Sequence, residues 1–219
     1  MNKKIPSTLC ALTLCASTIF MSAKAYETQP VYTDTNPIAV SFDYSPQVNY
    51  METMIKCASK NDIVWGTAAA KARNEKIADL GTNTAYKPIS FEDLHLLSKV
   101  MYAEAGSEWL SDDWKMAVGE VILNRRDSPE FPNTISDVIY QHGQYYSKTS
   151  RYFQDIMPSE RCVMLAVRLL EGERVFNDPS VVFQANFPQG SGVHAWYWDK
   201  HLGTTYFCYS NYPNKYVWG

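Results

Sequence analysis

The chain has no run of more than two basic residues, no Cys-x-x-Cys or Cys-x-x-His spacing, no internal repeat and no long hydrophobic run. Each absence removes a class of function. Lys and Arg number 20 against 23 Asp and Glu, a net charge of −3 with the two signs interspersed. That balance offers neither the basic groove a nucleic acid needs nor the patch an anionic membrane attracts. A large partner is therefore expected to be uncharged or mixed in charge. Without short cysteine or histidine spacings, neither a metal nor a cofactor is expected. The one apolar stretch, Leu9 to Met21, is broken by Ser17 and Thr18 and falls short of the roughly 20 residues that span a bilayer.

That stretch follows Lys3 and Lys4 and precedes Ala23-Lys24-Ala25, the charged start, apolar middle and small-x-small cleavage site of a secretory signal. Residues 1–25 are read as a signal peptide, and the mature chain is expected to begin at Tyr26. The other reading is an uncleaved anchor. No Leu-Ala-Gly-Cys-like lipid-attachment signal precedes Cys10 or Cys15, so no stable membrane association is expected after cleavage. Cys57, Cys162 and Cys208 remain. In an oxidising compartment these permit one bridge and one remainder, with Cys162 and Cys208 the favoured pair; the alternative is three buried, reduced thiols.

Hydrophobic residues make up 46% of the chain, with 6 Trp, 15 Tyr and 9 Phe, enough for one proper core in a monomer with a short attachment. Residues 26–47, with Pro30, Pro37 and Pro46 and no periodic pattern, read as an extended arm or linker. Residues 48–88 read as a helical N-terminal extension. Met51, Met54, Ile55 and Ala58 form a stripe there, and good helix formers run from Ala68 to a stop at Gly81. Whether these helices stand apart or join the main core is open at this level. Further helices are expected from Ser90, from Ser111 to Arg126, from Thr134 to Tyr140 and from Pro158 to Glu171, the last stopped by Gly172. Two β-rich runs, Ser180 to Phe187 and Thr204 to Ser210, close the chain. The fold class is α+β: helix-rich, with a small C-terminal sheet.

One ionisable residue is out of pattern. In the helix opened by Ser90 and Asp93, at 100° per residue, Leu94, Leu97, Val100, Met101 and Glu104 share a face. Glu104 thus occupies a position that calls for an apolar side chain. A carboxyl in apolar surroundings near a helix C-terminus resists ionisation, and one protonated near neutral pH can serve as a general acid. The other reading is a rotated helix with Glu104 simply solvated. Glu108, Asp112, Asp113 and Glu120 are possible second carboxylates. The first three cluster where acidic residues favour a helix N-terminus, and Glu120 lies on a helix flank, where it is expected to be solvated.

Tyr102-Ala103-Glu104-Ala105, Ala117-Val118, Ile122-Leu123-Asn124-Arg125, Ser128-Pro129, Phe131-Pro132-Asn133-Thr134-Ile135, Val138-Ile139-Tyr140-Gln141, Gly143-Gln144-Tyr145 and Ser147 follow in an order that resembles the catalytic domain of SleB-like spore-cortex-lytic and related bacterial cell wall hydrolases. The resemblance runs from about Leu94 to Tyr209, and residues 89–219 are read as that domain. It implies a lysozyme-like fold that cleaves peptidoglycan glycan strands, commonly as a lytic transglycosylase, with Glu104 as catalytic acid. The family pattern includes Gln144, Tyr145 and Ser147 as substrate contacts, Tyr102 beside Glu104 is a candidate for stacking on a sugar ring, and the signal segment leads to an expected secreted, extracytoplasmic location in the cell wall or periplasm. Trp109 and the Trp196-Tyr197-Trp198 cluster are further candidates for stacking on sugar rings, or for the core. One departure stands out: Thr205, in Leu202-Gly203-Thr204-Thr205-Tyr206-Phe207, takes the place of a His common in the family. No separate wall-binding repeat is apparent. The rival readings are a zinc amidase using His142, His194 or His201, with His95 on a helix surface, and a non-catalytic peptidoglycan-binding protein.

Overall fold

A computed structural model describes residues 46–81 and 86–216. The proposed signal and nearly all of the linker lie outside the described residues. The linker's expected end is corrected by two residues, because Pro46 already opens the first helix.

Two helices, α1 (Pro46–Ser59) and α2 (Ile63–Asp79), form an antiparallel pair. Asn61 turns the chain at φ 56°, and Asp62 caps α2 by accepting from the Trp65 amide at 3.2 Å. Met54 and Ala58 of α1 are fully buried, and Ala69 and Ala70 of α2 join the same cluster as the helices that follow. The N-terminal helices are therefore part of the main core. Asn74 ties them in, bonding both the amide and the carbonyl of Ile89 at 3.1 and 3.0 Å. Arg73, 2% exposed, donates to the Lys87 carbonyl at 2.9 Å and pairs with Glu171 at 3.0 Å.

At the centre lie α3 (Phe91–Ala105) and α4 (Asp112–Arg126). Ser90 and Ser111 cap them as expected. Leu94, Leu97, Val100 and Met101 are fully buried as periodicity predicts, but the whole run from Leu94 to Met101 is buried, so α3 is covered on every side rather than on one face. Burial of each such side chain contributes about 1.5–3 kcal/mol. Gly119 permits the close crossing with α7 (Glu160–Glu171). A β-carbon there would lie 2.5 Å from Leu169 Cδ1 and 2.8 Å from Met101 Sδ.

Between α4 and α7 come α5 (Ile135–Tyr140), capped by Thr134, and α6 (Arg151–Asp155), which the sequence pattern did not reveal. The sheet has three antiparallel strands, β1 (Val181–Ala185), β2 (Val193–Asp199) and β3 (Gly203–Tyr209), in the order β1-β3-β2. The fold is α+β and helix-rich. Only β1 and β3 were expected as strands; β2 is new. Among the described residues no helix is long and apolar enough to cross a membrane.

Two expectations are corrected. Cys57, Cys162 and Cys208 are all buried and unbridged: Cys162 lies in α7, whereas Cys208 in β3 accepts from the Gln189 amide at 3.4 Å. His95 is not a surface residue. It is 8% exposed, stacks on Phe91 and bonds Asn61 Oδ1 at 2.8 Å, and burial first, then Lys99, pulls its pKa down to about 4.

Candidate active site

Glu104 sits in the last turn of α3, half-buried. The helix stops at Gly106, but through right-handed geometry at φ −71°. Its terminal carbonyls find a side-chain donor instead: Lys115 of α4 reaches Ala105 O at 2.5 Å and Ser107 O at 2.6 Å. Lys115 is fully buried, and burial lowers its pKa. A cation at this end of a helix complements the negative end of the dipole and satisfies groups that would otherwise be orphaned.

Across from Glu104 lies the loop after α5. Gly143, at φ +75°, turns the chain in a conformation that side chains disfavour, and the Tyr146 amide then bonds back to Ile139 O at 3.3 Å. The turn delivers the Tyr146 hydroxyl to Glu104 Oε1, donating at 2.9 Å. Burial pushes the Glu104 pKa up, and this hydrogen bond partly holds it down. The carboxyl therefore keeps its proton to higher pH than an ordinary glutamate.

The expected substrate contacts fall in different places. Tyr102, two positions from Glu104, is about 200° away around the helix and packs partly buried against the core. Gln144 is exposed, and its Oε1 accepts from Arg125 Nη1 at 2.8 Å. The Tyr145 ring lies 5.2 Å from the Arg125 guanidinium. Its hydroxyl is buried with no hydrogen-bond partner among the described residues, near enough to Glu104 to feel its charge. Ser147 is exposed and bonds Thr149 Oγ1 at 3.1 Å within its own turn.

Two organising residues were not singled out from the sequence. Tyr146 is one, although its neighbours on both sides were. Arg125 is the other: besides Gln144 and Tyr145 it holds Val182 O at 2.6 Å and lies over Phe131 at 4.9 Å. It joins α4, the Tyr145 loop and β1, and only its place in the ordered motif run pointed to it.

The possible second carboxylates are mostly committed elsewhere. Glu108 and Asp112 pair with Arg161, at 3.6 and 2.8 Å. Glu120 is not solvated: it is fully buried, and its carboxylate accepts from the Val175 amide at 2.5 Å and the Phe176 amide at 3.1 Å. Asp113 is exposed. Of the aromatics, Tyr197 belongs to the core, stacked on Trp114 at 5.6 Å, whereas Trp196, Trp198 and Trp109 are each more than 60% exposed. Trp109 also meets His201 edge-on at 6.1 Å.

His194 bonds the Tyr209 hydroxyl at 2.8 Å, and His142 is exposed on its loop. Among the described residues, no group of three or more His, Cys, Asp or Glu is placed to hold a metal. A cavity of about 440 Å³ lies at the far end of α3, lined by Ile63, Phe91, His95 and Tyr140 among others. Glu104 lies nine positions beyond His95, or about 13 Å along the helix, so this cavity is not the site of the acid.

Residues 111–213 match the family model described as Cell Wall Hydrolase. Two curated proteins are similar to the chain, the spore cortex-lytic enzymes of Halalkalibacterium halodurans and Bacillus subtilis, each 28% identical over 123 residues. Each match covers 54% of this chain, and 35% and 38% of the two relatives. The chain thus spans little more than a third of their length. No solved structure matches. Glu104 and its Tyr-Ala-Glu-Ala context stand just ahead of the span the family model covers. The ordered motifs, the matched span and the two relatives together support a cell wall hydrolase domain of the SleB-like group in this chain.

Proposed function

We propose that the protein is an extracytoplasmic enzyme that cleaves the glycan strand of peptidoglycan as a lytic transglycosylase, with Glu104 as its single acid and base. The observation that carries this reading is the half-buried Glu104 carboxyl, raised in pKa by burial and held by Tyr146 at 2.9 Å.

Cleavage of a glycosidic bond requires a proton on the leaving oxygen and support for an oxocarbenium-like transition state. Protonated Glu104 donates its proton as the bond from the anomeric carbon to that oxygen breaks. The 6-hydroxyl of the same muramoyl sugar then attacks the anomeric carbon, and Glu104, now a carboxylate, accepts the hydroxyl proton. The product is a 1,6-anhydro sugar, the acid is regenerated and no water is consumed. No second protein carboxylate is needed, which fits the commitment of Glu108 and Asp112 to Arg161 and of Glu120 to backbone amides.

The test is digestion of purified sacculi, with mass spectrometry of the released fragments. Wild-type protein is expected to give fragments lacking one water relative to the hydrolysed sugar, and EDTA is expected to have no effect. Glu104→Gln retains an acceptor for Tyr146 but has no proton to give, so cleavage should fall by about 10²–10⁴-fold. Undiminished cleavage by that variant refutes the assignment of Glu104. Fragments cut between sugar and peptide, with chelator sensitivity, establish an amidase. Binding without release establishes a non-catalytic wall protein.

A further inference from the structure

We propose that Tyr146 is the positioning residue of the Glu104 acid: its hydroxyl fixes which carboxyl oxygen faces substrate and supports that oxygen's loss of a proton. The inference rests on the reading of Glu104 given above and adds a second residue to it.

Tyr146 is held through its ring as well as its hydroxyl. Its ring stacks on Phe153 of α6, with centroids 4.4 Å apart and planes within 6°. Phe153 is 1% exposed. The Lys99 ammonium lies 5.6 Å from the Phe153 ring centroid and donates to Gln154 O at 2.7 Å. Lys99 belongs to α3, the helix that carries Glu104. The contacts therefore close a circuit: from Lys99 on α3 to α6, from α6 to the Tyr146 ring, and from the Tyr146 hydroxyl back to Glu104. A donor held in such a loop has little freedom to lose when the carboxylate forms, which is the condition for preorganised stabilisation.

The chemistry follows from which oxygen is occupied. Because Tyr146 donates to Oε1, the transferable proton belongs on Oε2, which is thereby the oxygen that serves the leaving group. As that proton departs, the bond from Tyr146 becomes charge-assisted and shortens. Burial favours the acid and is the larger effect, while Tyr146 favours the conjugate base, so the carboxyl holds its proton above the ordinary glutamate range and has a donor in place when it releases it.

The charged groups on the neighbouring elements are engaged elsewhere. Lys115 on α4 binds the Ala105 and Ser107 carbonyls, and Arg125 holds Gln144 and Val182 O. Glu108 pairs with Arg161. From α6, Tyr152 packs tilted against Tyr146 at 6.3 Å, and the buried Tyr145 hydroxyl senses the Glu104 charge.

The experiment uses the full mature chain carrying Tyr146→Phe, which keeps the ring on Phe153 and removes only the donor. Carboxyl-carbon NMR follows the titration of Glu104 directly, and sacculus cleavage is measured across pH with both variants. The expected result is a Glu104 midpoint raised by roughly one pH unit, an alkaline limb of the rate profile raised with it, and a fall in turnover of about tenfold with little change in KM. Tyr152→Phe is expected to leave the midpoint in place. An unchanged or lowered midpoint in Tyr146→Phe overturns the proposal. The NMR titration does not depend on activity, so its result stands apart from the Glu104→Gln test: if Glu104→Gln is inactive while Tyr146→Phe titrates as wild type, Tyr146 loses its role and the Glu104 reading survives.

Discussion

Lys115 donates to the carbonyl oxygen of Ala105 at 2.5 Å, from a position with no exposure to solvent. A lysine is rarely buried so completely, and this one closes the end of the helix that presents Glu104. Replacing it with Met leaves the Ala105 and Ser107 carbonyls without their side-chain donor. Each such loss costs about 1–3 kcal/mol, so urea unfolding of Lys115→Met should show a loss of about 3 kcal/mol. A stability equal to wild type would contradict the capping role.

Glu120 performs a comparable service for the sheet side. Its carboxylate fixes the Val175 and Phe176 amides, and Phe176 packs on Phe207 at 5.2 Å and on His194 at 5.1 Å. Glu120→Ala should destabilise by about 3 kcal/mol, lowering Tm by roughly 6–12 °C. Calorimetry checks this. If the Tm is unchanged and cleavage alone is lost, Glu120 acts on substrate after all.

His95 has a folded pKa of about 4 against an ordinary 6.5, so between those values the unfolded chain binds a proton that the folded chain does not. Stability from this residue is fully present above pH 6.5 and is lost as pH falls toward 4, by about 3 kcal/mol. His95→Gln should flatten the stability-versus-pH curve in that window relative to wild type, measured by urea unfolding at a series of pH values. Parallel curves for the two proteins would show that His95 does not titrate this way.

The aromatic residues of β2 divide by face. Trp196 and Trp198 point outward, 62% and 64% exposed, while Tyr197 between them stacks on Trp114. Trp196→Ala and Trp198→Ala together should change stability by less than about 1 kcal/mol and, if these indoles stack on glycan, reduce retention on sacculi. Tyr197→Ala should instead cost about 3 kcal/mol or more. Thermal melts and a sedimentation assay with sacculi separate the two effects.

Much of this molecule was legible before any contact was known. Helix starts at Ser90, Ser111 and Thr134 were readable because a capping side chain and the amide it serves lie only a few residues apart. The stop at Gly172, at φ +113°, is equally local. Periodicity marked Leu94, Leu97, Val100 and Met101 as buried and Glu104 as the charge in line with them, but it did not show that α3 is buried all round, Lys99 included. Less legible was β2, because Trp196, Tyr197 and Trp198 are all aromatic and present no polar contrast to mark alternation. Helix α6, of five residues, is too short to carry a period.

The chain's local chemistry thus determined where most of its helices begin and end and marked Glu104 as a carboxyl out of pattern, but it did not foresee that Glu120 would be the fully buried one. Only the tertiary structure decided what either carboxyl meets. Tyr146 lies 42 positions from Glu104, and Glu120 lies 55 from the amide it binds. The bridge expected between Cys162 and Cys208 was likewise a matter of proximity, and the fold leaves both thiols free. Caps and periodicity act through a few covalent neighbours, whereas hydrogen bonds to remote partners exist only once the packed core has fixed the distance between them.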